Sequence, residues 1–428
     1  MSEAILDVHD KPKAGQWISL SLQHMFAMFG ATILVPQLVG LSPAIALLTS
    51  GIATIIFIII TQFKVPAYLG SSFAFIVPIT IATETGGIGS AMIGAMFVSL
   101  VYAIVALIIW KTGYQWLMKL LPPIVVGPVI IVIGLALSGT AVDMAMTIPV
   151  GDGSEYSLLH FSAALVTLMT AIICNIYFKN IISLMPILIG IIVGYAYSAA
   201  IGIIDYTAIS SAKWFAVPEF LIPGVDYSFQ VTPTLLFVMV PIAIVTISEH
   251  IGHQLVLGKI VGRNYIKDPG LHRSILGDGI GTFISSLVGG PPKTTYGENI
   301  GVLAITKVFS VYVILGAAVF AIIFSFFGKL MAVIETIPTA VLGGISIMLF
   351  GIIASSGLRM LVDNNIDFGN NRNLVISSVI LVIGIGGAKL EFSETFSIEG
   401  MALAAIVGVI LNLILPGLNK SELDDGTE

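Results

Sequence analysis

Residues 289–307, GGPPKTTYGENIGVLAITK, decide how the rest of the chain is read. The flanks are apolar enough for a membrane, yet the stretch carries a carboxylate, Glu298, and opens on Gly289, Gly290, Pro291 and Pro292. Paired glycines and prolines do not begin a regular helix, whereas Gly301-Val302-Leu303-Ala304-Ile305 is a good short helical run. The expected shape is extended backbone feeding a half-helix. Backbone N–H groups at such a junction lack partners, and in lipid they are tolerated only where protein buries them or a polar cavity receives them. Broken helices near the bilayer midplane build polar binding sites in this way, and Glu298 would stand beside one.

The whole chain supports a membrane setting. Of 428 residues 57% are hydrophobic and 10% charged, against about 25% charged in a soluble domain. Apolar runs long enough for a ~30 Å hydrocarbon core recur from Trp17 to Leu415. The first ~15 and last ~10 residues are expected to be soluble tails. The acidic N-terminus lacks the basic region of a cleaved signal, so the first span is expected to direct insertion. Cys174 is the single cysteine, which excludes an internal disulfide and a multi-thiolate metal site. The basic residues are scattered, which speaks against nucleic acid as a partner.

Hydropathy with Gly, Pro and charge punctuation predicts an all-α polytopic protein with fourteen spans. They cover residues 17–39, 43–62, 66–82, 88–110, 122–141, 157–178, 182–204, 233–257, 274–288, 294–307, 308–327, 330–354, 374–388 and 400–416. With both termini cytoplasmic, fourteen of the 18 Lys and Arg fall inside, Lys420 among them, and only Lys213, Lys293, Lys329 and Lys389 fall outside. That asymmetry is what the positive-inside rule requires.

A division near Val225 gives units 1–225 and 226–428, seven spans each. An odd number of spans per half means that two related halves insert in opposite orientations. His24 and Glu249, Phe73 and Glu298, and Pro66 and Pro291 are each 225 apart. The third span, PAYLGSSFAFIVP at residues 66–78, is short and interrupted like the tenth. Between the halves, WFAVPEFLIPGV at residues 214–225 fits either an outer-interface segment or an ordinary loop.

Ionisable groups inside spans are rare and costly, so each is a functional candidate. Glu249 and Glu298 sit well inside. Asp278, near the start of the ninth span, and Glu335, near the outer end of the twelfth, are read as end-of-helix or interface groups. In Ser248-Glu249-His250-Ile251-Gly252-His253, Glu249 and His253 are four apart and share a helix face within hydrogen-bonding reach. His250 points about 100° away. An acid and an imidazole so placed in a low-dielectric interior could trade a proton with a bound molecule. Two histidines three apart, with the glutamate before both, do not match a zincin helix, and no third ligand is evident. His24 in SLQHMFAMFG fits either a pocket or an ordinary core histidine, and Phe73 either packing or a backbone N–H and ring offered to a flat ligand.

A small planar heterocycle with alternating N–H donors and carbonyl acceptors suits this inventory. Two glutamates accept from ring N–H groups, backbone N–H groups at Phe73 or Gly297 donate to carbonyls, and an aromatic face stacks on the ring. Uracil matches closely. With about eight non-hydrogen atoms it binds no tighter than about −12 kcal/mol.

Glu298-Asn299-Ile300-Gly301, four residues, then Thr306-Lys307 resembles the [Q/E/P]-N-x-G-x4-T-[R/K/G] signature of the nucleobase–ascorbate (nucleobase:cation symporter 2) transporters. The resemblance extends through Gln23-His24, PAYLGSSFAF, SEHIGH, DPGLHRS at residues 268–274 and TTYGENIG, so it covers the chain. Glutamate at the first signature position and EHIGH are similar to the bacterial uracil permease branch. The resemblance implies a seven-plus-seven inverted repeat, a core domain of spans 1–4 and 8–11, a gate domain of spans 5–7 and 12–14, and short antiparallel strands in spans 3 and 10. It implies that Glu249 and Glu298 bind uracil through side chains and Phe73 and Gly297 through backbone N–H. His24 and Tyr296 would line the pocket, and His253 would join Glu249 and Glu298 in proton coupling. Phe350 stands where relatives can have tyrosine. Dimers through the gate domain are also implied.

The expectation is a proton-coupled uracil importer of the cytoplasmic membrane, working by alternating access with no cofactor beyond the proton. Its rivals are a purine or xanthine:cation symporter and, on the same architecture, an anion exchanger or channel, whose anions would meet two carboxylates. An enzyme is not expected, because no nucleophile–base pair is present: Ser248 faces another direction from Glu249.

Overall fold

Apolar runs punctuated by proline and glycine become helices. The computed structural model describes residues 4–150, 153–179, 181–393 and 396–416. Lys420 and the rest of the C-terminal tail lie outside the described residues. The first half runs α1 (Ala14–Leu38), α2 (Pro43–Ile60), strand β1 (Leu69–Ser71), a 3-10 turn (Phe73–Phe75), α3 (Ile76–Gly86), α4 (Ile88–Thr112), α5 (Gln115–Leu120), α6 (Pro123–Leu135), α7 (Ser138–Met146), the hairpin β2 (Thr147–Val150) and β3 (Gly153–Tyr156), α8 (Leu158–Tyr177), α9 (Ile181–Leu184) and α10 (Pro186–Ala200). The second half runs α11 (Thr207–Ser211), α12 (Pro233–Met239), α13 (Ile242–Val261), α14 (Leu271–Leu287), β4 (Lys293–Thr295), α15 (Gly297–Thr306), α16 (Val311–Ser325), α17 (Gly328–Glu335), α18 (Thr339–Asp363), α19 (Asn371–Ile385), the hairpin β5 (Lys389–Ser393) and β6 (Phe396–Glu399), and α20 (Gly400–Ile414).

Among the described residues seven helices are long and apolar enough to cross a membrane, or eight with the bent pair α16–α17, and four shorter ones are apolar. The expected span over residues 330–354 needs correction. Residues 328–335 form a separate short helix, bent 84° from α16, and the long helix begins only at Thr339. Pro338 is the cause: it cannot continue a helix but caps a new one. Glu335 therefore ends α17 rather than lying inside a span.

The helices pack as two groups. In one, α14 lies against α2 and α4, and α16 against α1 and α2. In the other, α18 packs on α6, α7 and α8, α10 on α8, and α19 on α6 and α20. Small residues let these helices approach: a β-carbon on Gly357 would stand 2.5 Å from the carbonyl oxygen of Gly127. The groups meet where α13 touches α6 and α20 and α1 touches α10. Residues 214–225 are pinned to helix ends, Ala216 N–H donating to Phe326 O at 3.0 Å and Leu221 N–H to Val288 O at 3.2 Å, with Trp214 and Phe215 exposed.

One further expectation is overturned and another is refined. Lys293 is not in an outer loop; it lies in β4, fully buried, its Nζ donating to Ala46 O at 3.0 Å and Ser50 Oγ at 2.9 Å on α2. Nor are the first residues a free tail: Val8 is fully buried, and residues 5–10 bond to residues 307–311.

Candidate functional site

Two interrupted segments cross at the centre. β1 pairs antiparallel with β4 in the register Leu69↔Thr295, Gly70↔Thr294, Ser71↔Lys293. Beyond the strands Tyr296 N–H donates to Tyr68 O at 3.0 Å and Ser72 N–H to Pro292 O at 3.0 Å. Each strand is clamped by a helix threonine. Thr54 Oγ1 accepts from Leu69 N–H at 2.9 Å, and Thr282 Oγ1 accepts from Lys293 N–H at 3.0 Å. These clamps give two three-residue strands the partners that water would otherwise supply.

From the crossing two half-helices diverge. Phe73 opens the 3-10 turn before α3, and Gly297 and Glu298 open α15. Helix starts leave N–H groups without intrahelical partners and present the positive end of the dipole. Two backbone donor sets therefore face outward from one point. Gly297 lies close to the imidazole: a β-carbon there would stand 3.2 Å from His253 Nε2, so the ring would have to give by a few tenths of an ångström.

The acids converge on this point. Glu249, on α13, is 6% exposed, and its Oε2 has no hydrogen-bond partner. Glu298 Oε1 likewise has none. Glu249 lies within electrostatic reach of both Glu298 and Asp278. Buried carboxylate oxygens without partners are uncommon, because each forfeits hydration. Phe73 packs edge-on against Phe350 of α18, centroids 5.9 Å apart at 80°, so an aromatic wall joins the two helix groups beside the acids.

The remaining expected residues are placed as follows. His253 does not bond back to Glu249; its Nδ1 meets Thr295 Oγ1 at 3.2 Å. The imidazole thus ties α13 to β4. His24 is fully buried beside Asn299, yet neither ring nitrogen has a partner in bonding geometry, nor has Asn299 Oδ1. The amide of Asn299 donates instead to Pro66 O at 3.0 Å. Tyr296 lies over Gly70, and its hydroxyl donates to Ser71 O at 3.2 Å.

Sequence reading missed one cluster. Asp278 is not at a helix end but within α14, 4% exposed. Its Oδ2 meets His250 Nδ1 at 2.8 Å, and His250 Nε2 meets Ser274 Oγ at 2.9 Å. Two polar residues on consecutive spans, each with no partner on its own helix, were the available signal. The cluster braces α13 against α14 one residue from Glu249.

A cavity of about 280 Å³ lies between α3, the α12–α13 break and the start of α20, with Glu399 its one charged lining group among the described residues. Its lining residue Ile242 is seven residues before Glu249 on the chain, about 10 Å along a helix. Neither glutamate lines it. A larger apolar groove of about 500 Å³ runs between α4 and α14, away from the acids.

Known proteins share both the sequence and the architecture. The chain is 66% identical over 417 residues to a uracil permease of Bacillus caldolyticus, covering 97% of this chain and 96% of that one. It is 61% identical over 421 residues to a uracil permease of Bacillus subtilis, covering 98% and 97%. Among solved structures, the transmembrane domain of the cyanobacterial bicarbonate transporter BicA superposes with a TM-score of 0.63 at 14% identity, covering 93% of this chain and 96% of that one; at that identity the likeness concerns fold alone. The Permease family profile matches residues 15–392, and the chain thus belongs to that family, the nucleobase–ascorbate transporters, which are carriers and not enzymes.

Proposed function

We propose that the chain imports uracil together with protons across the cytoplasmic membrane by alternating access. The observation that carries the reading is the pair of unpartnered carboxylate oxygens, Glu249 Oε2 and Glu298 Oε1, beside the helix starts at Phe73 and Gly297. Uracil offers two N–H donors to the acids and two carbonyls to backbone N–H groups, which is the complement of that set. The named activity of relatives more than 60% identical over nearly the whole chain supports the same substrate. Glu249, His253 and Glu298 are the groups for proton coupling, and His24 and Tyr296 complete the surroundings.

Fourteen spans follow when the bent, broken and short helices are each counted as crossings, with both termini cytoplasmic. The strand register supports an inverted repeat of residues 1–225 and 226–428. Adding 225 to one member of a pair and subtracting it from the other turns Leu69↔Thr295 into Thr294↔Gly70, the next pair observed, and Ser71↔Lys293 into Tyr296↔Tyr68, also bonded. In this reading the α1–α4 and α12–α16 group is a core that rocks against a gate of α6–α10 and α18–α20, and copies of the chain pair through the gate.

Radiolabelled uracil uptake in cells lacking their own carrier is the test. Uptake abolished by a protonophore and by Glu298→Ala is the expected result. Uptake indifferent to both overturns the proposal.

A further inference from the structure

The N-terminal residues reach the site from behind. Ile5 N–H donates to Lys307 O at 2.9 Å, Phe309 N–H to Leu6 O at 2.7 Å and Val311 N–H to Val8 O at 3.0 Å, while Ser310 Oγ donates to Asp10 O at 2.6 Å. This is a short parallel strand addition onto the α15–α16 link. Lys307, which it grips, is the left-handed residue at which α15 ends, φ 55°. Asp7 Oδ2 pairs with Arg263 Nη2 at 2.7 Å, next to the left-handed Gly262 that ends α13. Val8 enters an apolar cluster with Leu257 of α13, Ile300 and Leu303 of α15, and Val65 and Leu69 on the way into β1. Each of those elements leads to a contact group: Glu249, Glu298 and Phe73.

A ten-residue helix is not stable by itself, so the position of α15 along its own axis depends on what holds its two ends. The β1–β4 crossing holds the start. We propose that residues 5–10 are a positioning strap that holds the far end of α15 in register with α13, so that Glu298 and Glu249 meet the same substrate. The proposal rests on the reading that substrate binds at these glutamates. Val8 and Asp7 touch no substrate; they act through α15 and α13.

The experiment uses the full-length purified chain. Hydrogen exchange of α15 amides is compared with that of α8 and α18 in Val8→Asp, Val8→Ala, Asp7→Arg and the swap Asp7→Arg with Arg263→Asp, alongside uptake kinetics with uracil. Val8→Asp is expected to speed exchange in α15 by at least about tenfold, with α8 and α18 unchanged. It is also expected to raise KM for uracil more than it lowers turnover per folded carrier. Val8→Ala shows the same pattern more weakly, and decides the matter should the aspartate variant fail to insert. Asp7→Arg loosens α15, and the swap restores it. Unchanged α15 exchange, equal loss of protection in α8 and α18, or a swap that restores nothing overturns the strap. If the unaltered protein binds no uracil, the functional reading falls while the exchange comparison still decides the strap.

Discussion

Tyr296 donates its hydroxyl to the carbonyl oxygen of Ser71 at 3.2 Å, and the two residues are 225 apart in sequence. The bond crosses from one half of the chain to the other at the strand pair from which both half-helices start. It requires the ring to lie flat on Gly70, where a β-carbon would stand 1.9 Å from Tyr296 Cζ. Tyr296→Phe loses one hydrogen bond, about 0.5–1.5 kcal/mol, and leaves the ring in place. Gly70→Ala forces the ring off the crossing. Thermal unfolding of the purified variants is expected to show a small drop for Tyr296→Phe and a much larger one for Gly70→Ala. Equal drops would mean that the ring does not rest on Gly70.

Lys293 is a fully buried amine whose described hydrogen bonds go to a helix carbonyl and a hydroxyl. Burying the amine against neutral acceptors forfeits its hydration, and a flexible apolar chain of similar volume fills the same space. Lys293→Met is expected to unfold at the same temperature as the parent or a higher one. Lys293→Ala leaves a hole at the strand crossing and is expected to lose about 2–5 kcal/mol. A Met variant that fails to fold would show that the amine's hydrogen bonds are needed there.

His250 and Asp278 are buried together, and removing one leaves the other without its partner. That loss is expected to cost about 3–5 kcal/mol. Asp278→Ala and His250→Ala should each lower the unfolding temperature strongly, and the double variant should fall by less than the sum, since each single change already breaks the pair. Additive losses would show that the two side chains act separately.

These groups also mark how far the sequence could be read. Breakers announce themselves locally, so Gly289 to Pro292 and Pro66 pointed to the interruptions that the structure places at β4 and β1. Intramembrane acids likewise stand out against apolar neighbours. What stayed hidden was partner choice across elements. Spacing along α13 put His253 beside Glu249, but the imidazole found Thr295 on a strand 42 residues away. Lys293 falls between the expected ninth and tenth spans and so reads as a loop residue, and only the approach of α2 to β4 buries it. The strap could not be anticipated either, for Ile5, Leu6 and Val8 are too few to signal burial without the groove they fill.

Phe350 meets the ring of Phe73 edge-on across the boundary between the two helix groups. Such a pair contributes about 0.5–1.5 kcal/mol beyond area burial, and in the proposed reading it fixes the backbone whose N–H would meet substrate. Phe350→Leu keeps an apolar wall but frees Phe73 to turn. Uracil affinity is expected to fall by up to about tenfold, with little change in the unfolding temperature of the free protein. Phe350→Tyr keeps the ring contact and should bind at least as well as the parent. Fluorescence-free calorimetric titration reads both directly.

Glu249 and Glu298 give opposite signs for stability and for binding. Without substrate, each carries a buried carboxylate oxygen that no protein group satisfies, and Glu249 also feels the charge of its neighbour. Glu298→Gln removes one charge from this crowded site while keeping its shape, so the free variant is expected to unfold at the parent's temperature or above it. Bound uracil loses a charge-assisted hydrogen bond, about 1.5–3 kcal/mol, or roughly ten- to hundredfold in affinity. At a concentration near 100 times the parent's dissociation constant, uracil stabilises the parent by about 2.7 kcal/mol, and the variant should lose most of that shift. A free variant that melts earlier but keeps the uracil shift would show that the carboxylate holds helices together and leaves the base to others.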